Sequence, residues 1–158
     1  MHIRQATAAD AEAAARLMRR SIRLLCTADH HCDPAIVRAW LANKRPEIFR
    51  HWLAQPESIV LVAEDRVGGL LGVGGAKGDG EITLNYIAPD ARFSAVSTML
   101  LAELERWLAE LGRSAVRLTS TRTAHRFYLR RGYRDSGPER TTFGGMSAFP
   151  MSKQLGAG

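Results

Sequence analysis

Glu81-Ile-Thr-Leu-Asn-Tyr-Ile87, Ala88-Pro-Asp-Ala91 and Arg92-Phe-Ser-Ala-Val-Ser97 follow one another without a break, and an amphipathic segment continues to Gly112. The first piece is typical of a β-strand, the second of a turn, and the third of a helix start. The first N–H groups of a helix lack partners within it, and the aligned peptide dipoles leave partial positive charge there. Because Arg92 enters the turn and small residues follow it, the stretch predicts a site for a ligand that carries a pyrophosphate.

Length and composition limit the class of protein. With 158 residues, we expect a single domain over residues 1–158 with a substantial core. No apolar run approaches the roughly 20 residues of a membrane span, and the N-terminus lacks the order of a signal peptide. Cys26 and Cys32 are too few for a disulfide scaffold and fit a reducing compartment. We therefore expect a cytoplasmic protein with no membrane partner.

The charge is basic and comes almost entirely from arginine. The formal net charge is +6, and three of the 22 basic residues are lysines, which leaves 19 arginines. Two interpretations stay open: a compositional bias towards arginine, or attraction of a polyanion such as a phosphate-rich cofactor or a nucleic acid. The scarcity of lysine and the absence of a dense basic run argue against a dedicated nucleic-acid arm.

Strands and helices are predicted in a mixed order. The predicted strands are residues 1–6, 58–63, 69–74, 81–87 and 115–119, with two more around 141–143 and 149–153. The predicted helices are residues 11–25, one helix or a pair over 35–53, residues 94–111 and residues 123–131. The polar segment 27–33 is predicted to be a loop. Hairpins in the middle of the chain, with helices on either side, indicate an α+β fold.

Two motifs, in order and at the right separation, resemble the GNAT N-acetyltransferase superfamily. They are Ile87-Ala-Pro89 with Arg92-x-x-Ala95-x-Ser97, and Ala124-x-x-Phe127-Tyr128-x-x-x-Gly132-Tyr133. The resemblance spans essentially the whole chain. The first motif departs from the superfamily pattern, because Ala95 and Ser97 replace its two usual glycines. The resemblance implies a mixed, mostly antiparallel central sheet of six to seven strands with helices on both faces.

The resemblance also implies acetyl-CoA as cosubstrate, without a metal. Backbone N–H groups over residues 93–98 would hold its pyrophosphate, with Arg92 adding charge, and the pantetheine arm would pair with the free edge of the strand at residues 85–87. A main-chain N–H near Ile87 would stabilise the oxyanion. The implied cofactor-binding residues are Asn85, Tyr86, Ile87, Arg92, Phe93, Ser94, Ala95, Val96, Ser97, Thr98, Thr121, Ala124 and Phe127.

Tyr128 and Glu81 are the catalytic candidates that the resemblance implies. Acyl transfer expels a thiolate, which the Tyr128 phenol could protonate; the alternative is a tyrosine that only packs the core. Glu81 occupies the position of the base in the histone-acetylating branch; the alternatives are an exposed strand-end carboxylate and a proton relay through water. Neither motif contains a cysteine, so we do not expect a covalent acetyl-enzyme.

The stretch Asp29-His30-His31-Cys32-Asp33 invites several interpretations. Its letters match the signature of membrane-bound palmitoyltransferases, but no membrane span accompanies it. A zinc site is not expected, because no second Cys/His cluster exists in the sequence. In the superfamily the loop between the first two helices often lines the acceptor site, so His30, His31 and Asp33 are candidate acceptor contacts. A solvated loop is the other interpretation.

The predicted function is acetyl-CoA-dependent N-acetylation of a primary amine by direct attack in a ternary complex. The acceptor stays open between a small-molecule amine and a protein amine. One alternative is a toxin-like enzyme that acts on aminoacyl-tRNA, which would need a contiguous arginine face beside the acceptor cleft. The other is an acyl-CoA-binding regulatory module without turnover. The resemblance alone suggests a homodimer.

Overall fold

Eight strands divide into two sheets in the computed structural model, which describes residues 1–156. The strands are β1 (His2–Gln5), β2 (Ser58–Glu64), β3 (Leu70–Lys77), β4 (Ile82–Ile87), β5 (Ala115–Ser120), β6 (Arg134–Asp135), β7 (Arg140–Thr141) and β8 (Ser147–Gln154). The first sheet has the antiparallel order β1-β2-β3-β4. In the second, β8 pairs antiparallel with β5, β6 and β7. The predicted α+β class with a mostly antiparallel arrangement is confirmed, with eight strands rather than six or seven.

Six α-helices accompany the sheets. They are α1 (Ala11–Leu25), α2 (Thr27–His30), α3 (Pro34–Leu41), α4 (Pro46–Leu53), α5 (Val96–Glu110) and α6 (Arg122–Arg130). The segment predicted as one helix or a pair is the pair α3 and α4. The predicted loop at residues 27–33 is wrong for its first four residues, because α2 is too short to show a hydrophobic period. None of the helices within residues 1–156 is long and apolar enough to cross a membrane.

The first sheet is packed between helices, with α1 and α5 contacting both β3 and β4. Two glycines of β3 let α5 approach the sheet closely. A Cβ on Gly72 would lie 2.7 Å from Leu100 and 2.9 Å from Val96, and one on Gly74 would lie 3.1 Å from Leu104. The site described below depends on this close contact, because it fixes the start of α5 beside the end of β4.

β4 and β5 are neighbours but separate along their length. They are joined at the start of β4, where Glu81 forms a parallel bridge with Arg117 and the Arg117 amide donates to the Gly80 carbonyl at 2.9 Å. Beyond that point β4 pairs only with β3, and β5 pairs only with β8, within the described residues. The two strands therefore form a V whose open end lies at residues 84–87 of β4.

Replacing Gly72 by alanine tests the contact between the sheet and α5. The added methyl group would clash with buried Leu100 and Val96. Such overpacking costs about 1–3 kcal/mol, more than the roughly 0.5–1 kcal/mol that alanine gains over glycine in a strand. We expect a lower free energy of unfolding in urea. Gly137→Ala is the control, since its Cβ would meet nothing closer than 3.9 Å. Equal stability of the two variants would contradict this account of the contact.

Candidate active site

A cleft of about 720 Å³ occupies the open end of the V. Its walls are the diverging ends of β4 and β5, and the start of α5 and one face of α6 close it. Every predicted cofactor-binding residue except Ala95 and Val96 lines it. These are Asn85, Tyr86, Ile87, Arg92, Phe93, Ser94, Ser97, Thr98, Thr121, Ala124 and Phe127. Ala95 is exposed at the N-cap of α5, and Val96 is buried against the core.

The turn before α5 leaves several amides free. Phe93 takes a positive φ of 65°, and the Ser94 hydroxyl donates to the Ala91 carbonyl. Within residues 1–156, the N–H groups of Ser97 and Thr98 find no backbone carbonyl, because the residues four positions earlier lie outside the helix. Small side chains at these positions leave the amides accessible. This is the geometry of an anion site at a helix N-terminus.

Four arginines give the cleft its charge. They are Arg92, Arg126, Arg130 and Arg131, and no Asp or Glu lines the cleft within the described chain. The Arg131 guanidinium donates to the Thr98 hydroxyl at 2.8 and 3.1 Å and lies 5.1 Å from the centroid of the Phe127 ring. The cleft therefore suits a ligand with several negative charges. Sequence reasoning missed Arg126, because an arginine on a helix face is most often solvated.

Tyr128 lies at the floor of the cleft and is 7% exposed. Its hydroxyl accepts a long hydrogen bond of 3.4 Å from the Asn85 side-chain amide, and its ring meets those of Phe127 and Tyr133 edge to face. Burial raises the pKa of Tyr128, and the bond from Asn85 opposes this only in part. The phenol is therefore protonated at neutral pH and able to donate.

The other polar atom of the Asn85 side chain has no partner. Asn85 Oδ1 is buried and makes no hydrogen bond within the described part of the chain. A buried acceptor without a donor costs roughly 1–3 kcal/mol of stability, so such atoms in folded proteins usually accept a hydrogen bond from a ligand or a water. Asn85 lies at the open end of β4, where a ligand with an amide N–H would satisfy it.

Glu81 lies at the closed end of the V. Its carboxylate is 3.8 Å from the Lys77 ammonium, and it does not line the cleft that contains Tyr128. Glu81 therefore lies where β4 and β5 are joined, away from the cleft that contains the other catalytic candidate.

The Asp29–Asp33 stretch connects helices. The Asp29 carboxylate accepts from the Arg122 amide at 2.7 Å and the Thr123 amide at 3.2 Å, so it caps the start of α6 from α2. The Asp33 carboxylate caps α3 by accepting from the Ala35 amide at 2.9 Å. A cap of this kind is typically worth about 1 kcal/mol.

The predicted acceptor contacts in this stretch do not come together at the cleft. His30 is 1% exposed, and its two ring nitrogens bond the Ile22 carbonyl at 2.8 Å and the Cys32 amide at 2.9 Å. His31 is exposed, and its backbone takes the left-handed conformation that ends α2. Polar atoms of His30 and Asp33 are therefore used in hydrogen bonds within the chain, and none of the three residues lines the cleft that contains Tyr128. No cluster of three metal-ligating side chains occurs in residues 1–156.

A second cleft, of about 520 Å³, adjoins the first at the gap between β4 and β5. It shares Tyr86, Thr119, Ser120 and Thr121 with the first cleft. Its remaining wall includes Trp40, Asn43, Lys44, Phe143 and Met146. Sequence reasoning missed this wall: Trp40 has the spacing of a core residue, and the α3–α4 turn and the segment before β8 are distant in sequence. We name the two clefts after the ligands that the sequence predicts: the first is the cofactor cleft and the second is the acceptor cleft.

Comparison with known proteins identifies the family. A family model described as an acetyltransferase (GNAT) domain matches residues 27–155. Among curated proteins, none matches the chain at a significant level.

Solved structures agree with this match. A GCN5-related N-acetyltransferase from Rhodopseudomonas palustris is 25% identical over 98% of this chain and 95% of its own, with a TM-score of 0.86. The PaiA N-acetyltransferase from Thermoplasma acidophilum, solved with coenzyme A, is 19% identical over 98% of both chains, with a TM-score of 0.81. An aminoglycoside 6'-N-acetyltransferase from Enterococcus faecium is 16% identical over 98% and 97%, with a TM-score of 0.72. The chain belongs to the GNAT acetyltransferase family.

Proposed function

We propose that this GNAT protein transfers an acetyl group from acetyl-CoA to a primary amine by direct attack in a ternary complex. The observation that carries the proposal is that two clefts meet at the gap between β4 and β5, with Tyr86 and residues 119–121 common to both. Two substrates bound in the adjoining clefts can therefore touch there without a covalent acetyl-enzyme.

The cofactor cleft fits coenzyme A at both of its ends. The amides of Ser97 and Thr98, with the four arginines, would hold the phosphates. The free edge of β4 and the unpartnered Asn85 Oδ1 would satisfy the amides of the pantetheine arm. The thioester of acetyl-CoA supplies an activated acetyl group and a thiolate leaving group.

Tyr128 would act at the end of the transfer. The amine nitrogen would form the new bond to the carbonyl carbon, the C–S bond would break, and the Tyr128 hydroxyl would donate its proton to the departing sulfur. The extra proton on the new amide nitrogen would leave through water and restore the Tyr128 hydroxyl. A backbone N–H near Ile87 would stabilise the oxyanion. The Asp29 carboxylate, the acidic group that borders the acceptor cleft, is occupied at the start of α6, so we assign the amine's first proton to a water relay.

A calorimetric titration with acetyl-CoA tests the proposal, with dephospho-CoA and ATP as controls. We expect acetyl-CoA to bind more tightly than either control, and a panel of amines to yield an acceptor that releases free CoA. Binding without transfer to any amine would favour the acyl-CoA-binding module instead. Absence of binding would overturn the proposal. The homodimer and the cytoplasmic location stay predictions.

One observation favours aminoacyl-tRNA as a second candidate acceptor. Arg19, Arg23, Arg38 and Arg45 surround a pocket of about 690 Å³ that has no acidic residue in its described lining and shares Ala42 with the acceptor cleft. Gel-shift titration with tRNA at two salt concentrations tests this candidate. Salt-sensitive binding that Arg23→Glu and Arg38→Glu abolish would support it, and unchanged binding by these variants would exclude this surface.

Tyr128→Phe removes the proposed acid without emptying the core. We expect kcat to fall about 10- to 100-fold while acetyl-CoA affinity stays near that of the wild type. Tyr133→Phe is the matched control, since its hydroxyl donates to Glu105 at 2.7 Å outside the cleft. An unchanged kcat in Tyr128→Phe would mean that Tyr128 only packs the core and is not the acid.

Ser97→Glu introduces a carboxylate among the free amides. Repulsion of phosphate should weaken acetyl-CoA binding by about 1 kcal/mol or more, the scale of charge effects at a helix end. Met99→Glu adds the same charge at an exposed position of α5 outside the cleft and should bind normally. Normal affinity in Ser97→Glu would mean that the pyrophosphate lies elsewhere.

The Glu81→Gln variant tests whether Glu81 is a catalytic base or only a carboxylate at the end of a strand. Because Glu81 lines neither the cofactor cleft nor the acceptor cleft, we expect the pH dependence of kcat/KM to match that of the wild type. Loss of the limb on the acidic side of the profile would instead restore Glu81 as the base.

A further inference from the structure

Lys44 is a buried lysine in the turn between α3 and α4. It is 6% exposed and borders the acceptor cleft. Its ammonium donates to Asn43 Oδ1 at 2.6 Å and lies 5.9 Å from the centroid of the Tyr86 ring. The turn is held in place, since the Lys44 amide donates to the Leu41 carbonyl at 2.9 Å and the Lys44 carbonyl accepts from Arg19 at 3.4 Å.

No carboxylate neutralises Lys44. The other two lysines pair with acids: Lys77 with Glu81 at 3.8 Å and Lys153 with Glu105 at 3.1 Å. Within residues 1–156, no carboxylate lies within 4 Å of the Lys44 ammonium. A buried cation without a counter-ion is costly, and that cost is recovered when an anion binds beside it.

Apart from Lys44 and Asp29, the described lining of the acceptor cleft is apolar or neutral. Its aromatic and apolar wall consists of Trp40, Tyr86, Phe143 and Met146. Its one carboxylate, Asp29, is occupied by the amides at the start of α6. An acceptor with several ammonium groups would find no free acid here and would meet the charge of Lys44. An acceptor that carries one carboxylate would fit it.

We propose that Lys44 binds a carboxylate of the acceptor, so that the acceptor is an amino-acid-like amine with an apolar side chain and not a polyamine. This inference rests on the proposed acetyltransferase function. The position of Lys44 over Tyr86 brings the bound carboxylate beside the strand that borders both clefts, with the amine of the same molecule directed to the gap. The nearby aromatic rings would cover the side chain.

Matched acceptors test the proposal directly. Leucine and phenylalanine are each compared with the corresponding amino-acid amide, which keeps the amine and removes the negative charge. For the wild type we expect kcat/KM to be about 10- to 100-fold higher for the acids, mainly through KM, on the scale of a hydrogen bond between charged groups. Lys44→Met should abolish the difference, and Lys44→Arg should restore part of it.

Lys77→Met is the matched control, because it removes a lysine that lies outside the acceptor cleft. It should keep the preference for the acids. Acetyl-CoA titration of every variant separates the outcomes. If wild-type protein binds no acetyl-CoA, the proposed function fails. If it binds acetyl-CoA and acetylates the amides as well as the acids, or if Lys44→Met keeps the preference, the proposed role of Lys44 is overturned.

A pH series gives a readout that a merely structural lysine would not move. Burial lowers the pKa of Lys44 to about 8, so the free protein loses the charge above that pH. The KM advantage of the wild type over Lys44→Met, measured with one amino acid, should therefore shrink as pH rises. The titratable and charged groups around Lys44 are Asp29 and Tyr86 in the acceptor cleft, Glu57, Lys77 and Asp79 in a further cleft that Lys44 also lines, and Arg19, which donates to the Lys44 carbonyl. Of these, Tyr86 has a pKa raised by burial to about 12 and keeps its proton throughout.

Discussion

The site depends on the divergence of β4 from β5, which leaves backbone groups at the edge of β4 without a strand partner. Strand edges normally need partners, because buried N–H and C=O groups are costly when unpaired. Here the strands are tied at Glu81 and Arg117 and then diverge, so the end of β4 offers its edge to a ligand. The cofactor cleft and the acceptor cleft are the two faces of that opening. Alternation along β4 then turns Asn85 towards Tyr128 and leaves the adjacent Tyr86 beside Lys44.

Two close contacts hold the opening in shape. The glycines of β3 let α5 lie against the sheet, which sets the free amides at its start beside the end of β4. On the other side, the Asp29 carboxylate from α2 caps α6 and so fixes the helix that carries Tyr128 and two arginines of the cofactor cleft, with a third, Arg131, directly after it. A stretch whose letters suggested metal or acyl chemistry is thus explained by helix capping and by the two hydrogen bonds of His30.

Charge is distributed unevenly between the two clefts. The cofactor cleft has four arginines, which suits a ligand with several phosphates, whereas the acceptor cleft has one buried lysine among aromatic and hydroxyl groups. The aminoglycoside enzyme among the similar structures shares the fold at 16% identity. Under the proposed function, the lining of the second cleft would select the acceptor, and its buried Lys44 favours an anion. Function here follows from the site rather than from the fold.

The sequence by itself determined the α+β class, most helix and strand positions, the turn before α5 that is predicted to bind phosphate, and the motif that includes Tyr128. These signals are local: periodicity, small residues at a helix start and a short motif within one helix. Only the tertiary structure decided which distant segments meet. It placed Glu81 outside both clefts, used polar atoms of His30 and Asp33 in hydrogen bonds within the chain, and joined the turn at Lys44 to β4 and to the segment before β8. Burial lowers the pKa of Lys44, and burial depends on neighbours that are remote in sequence.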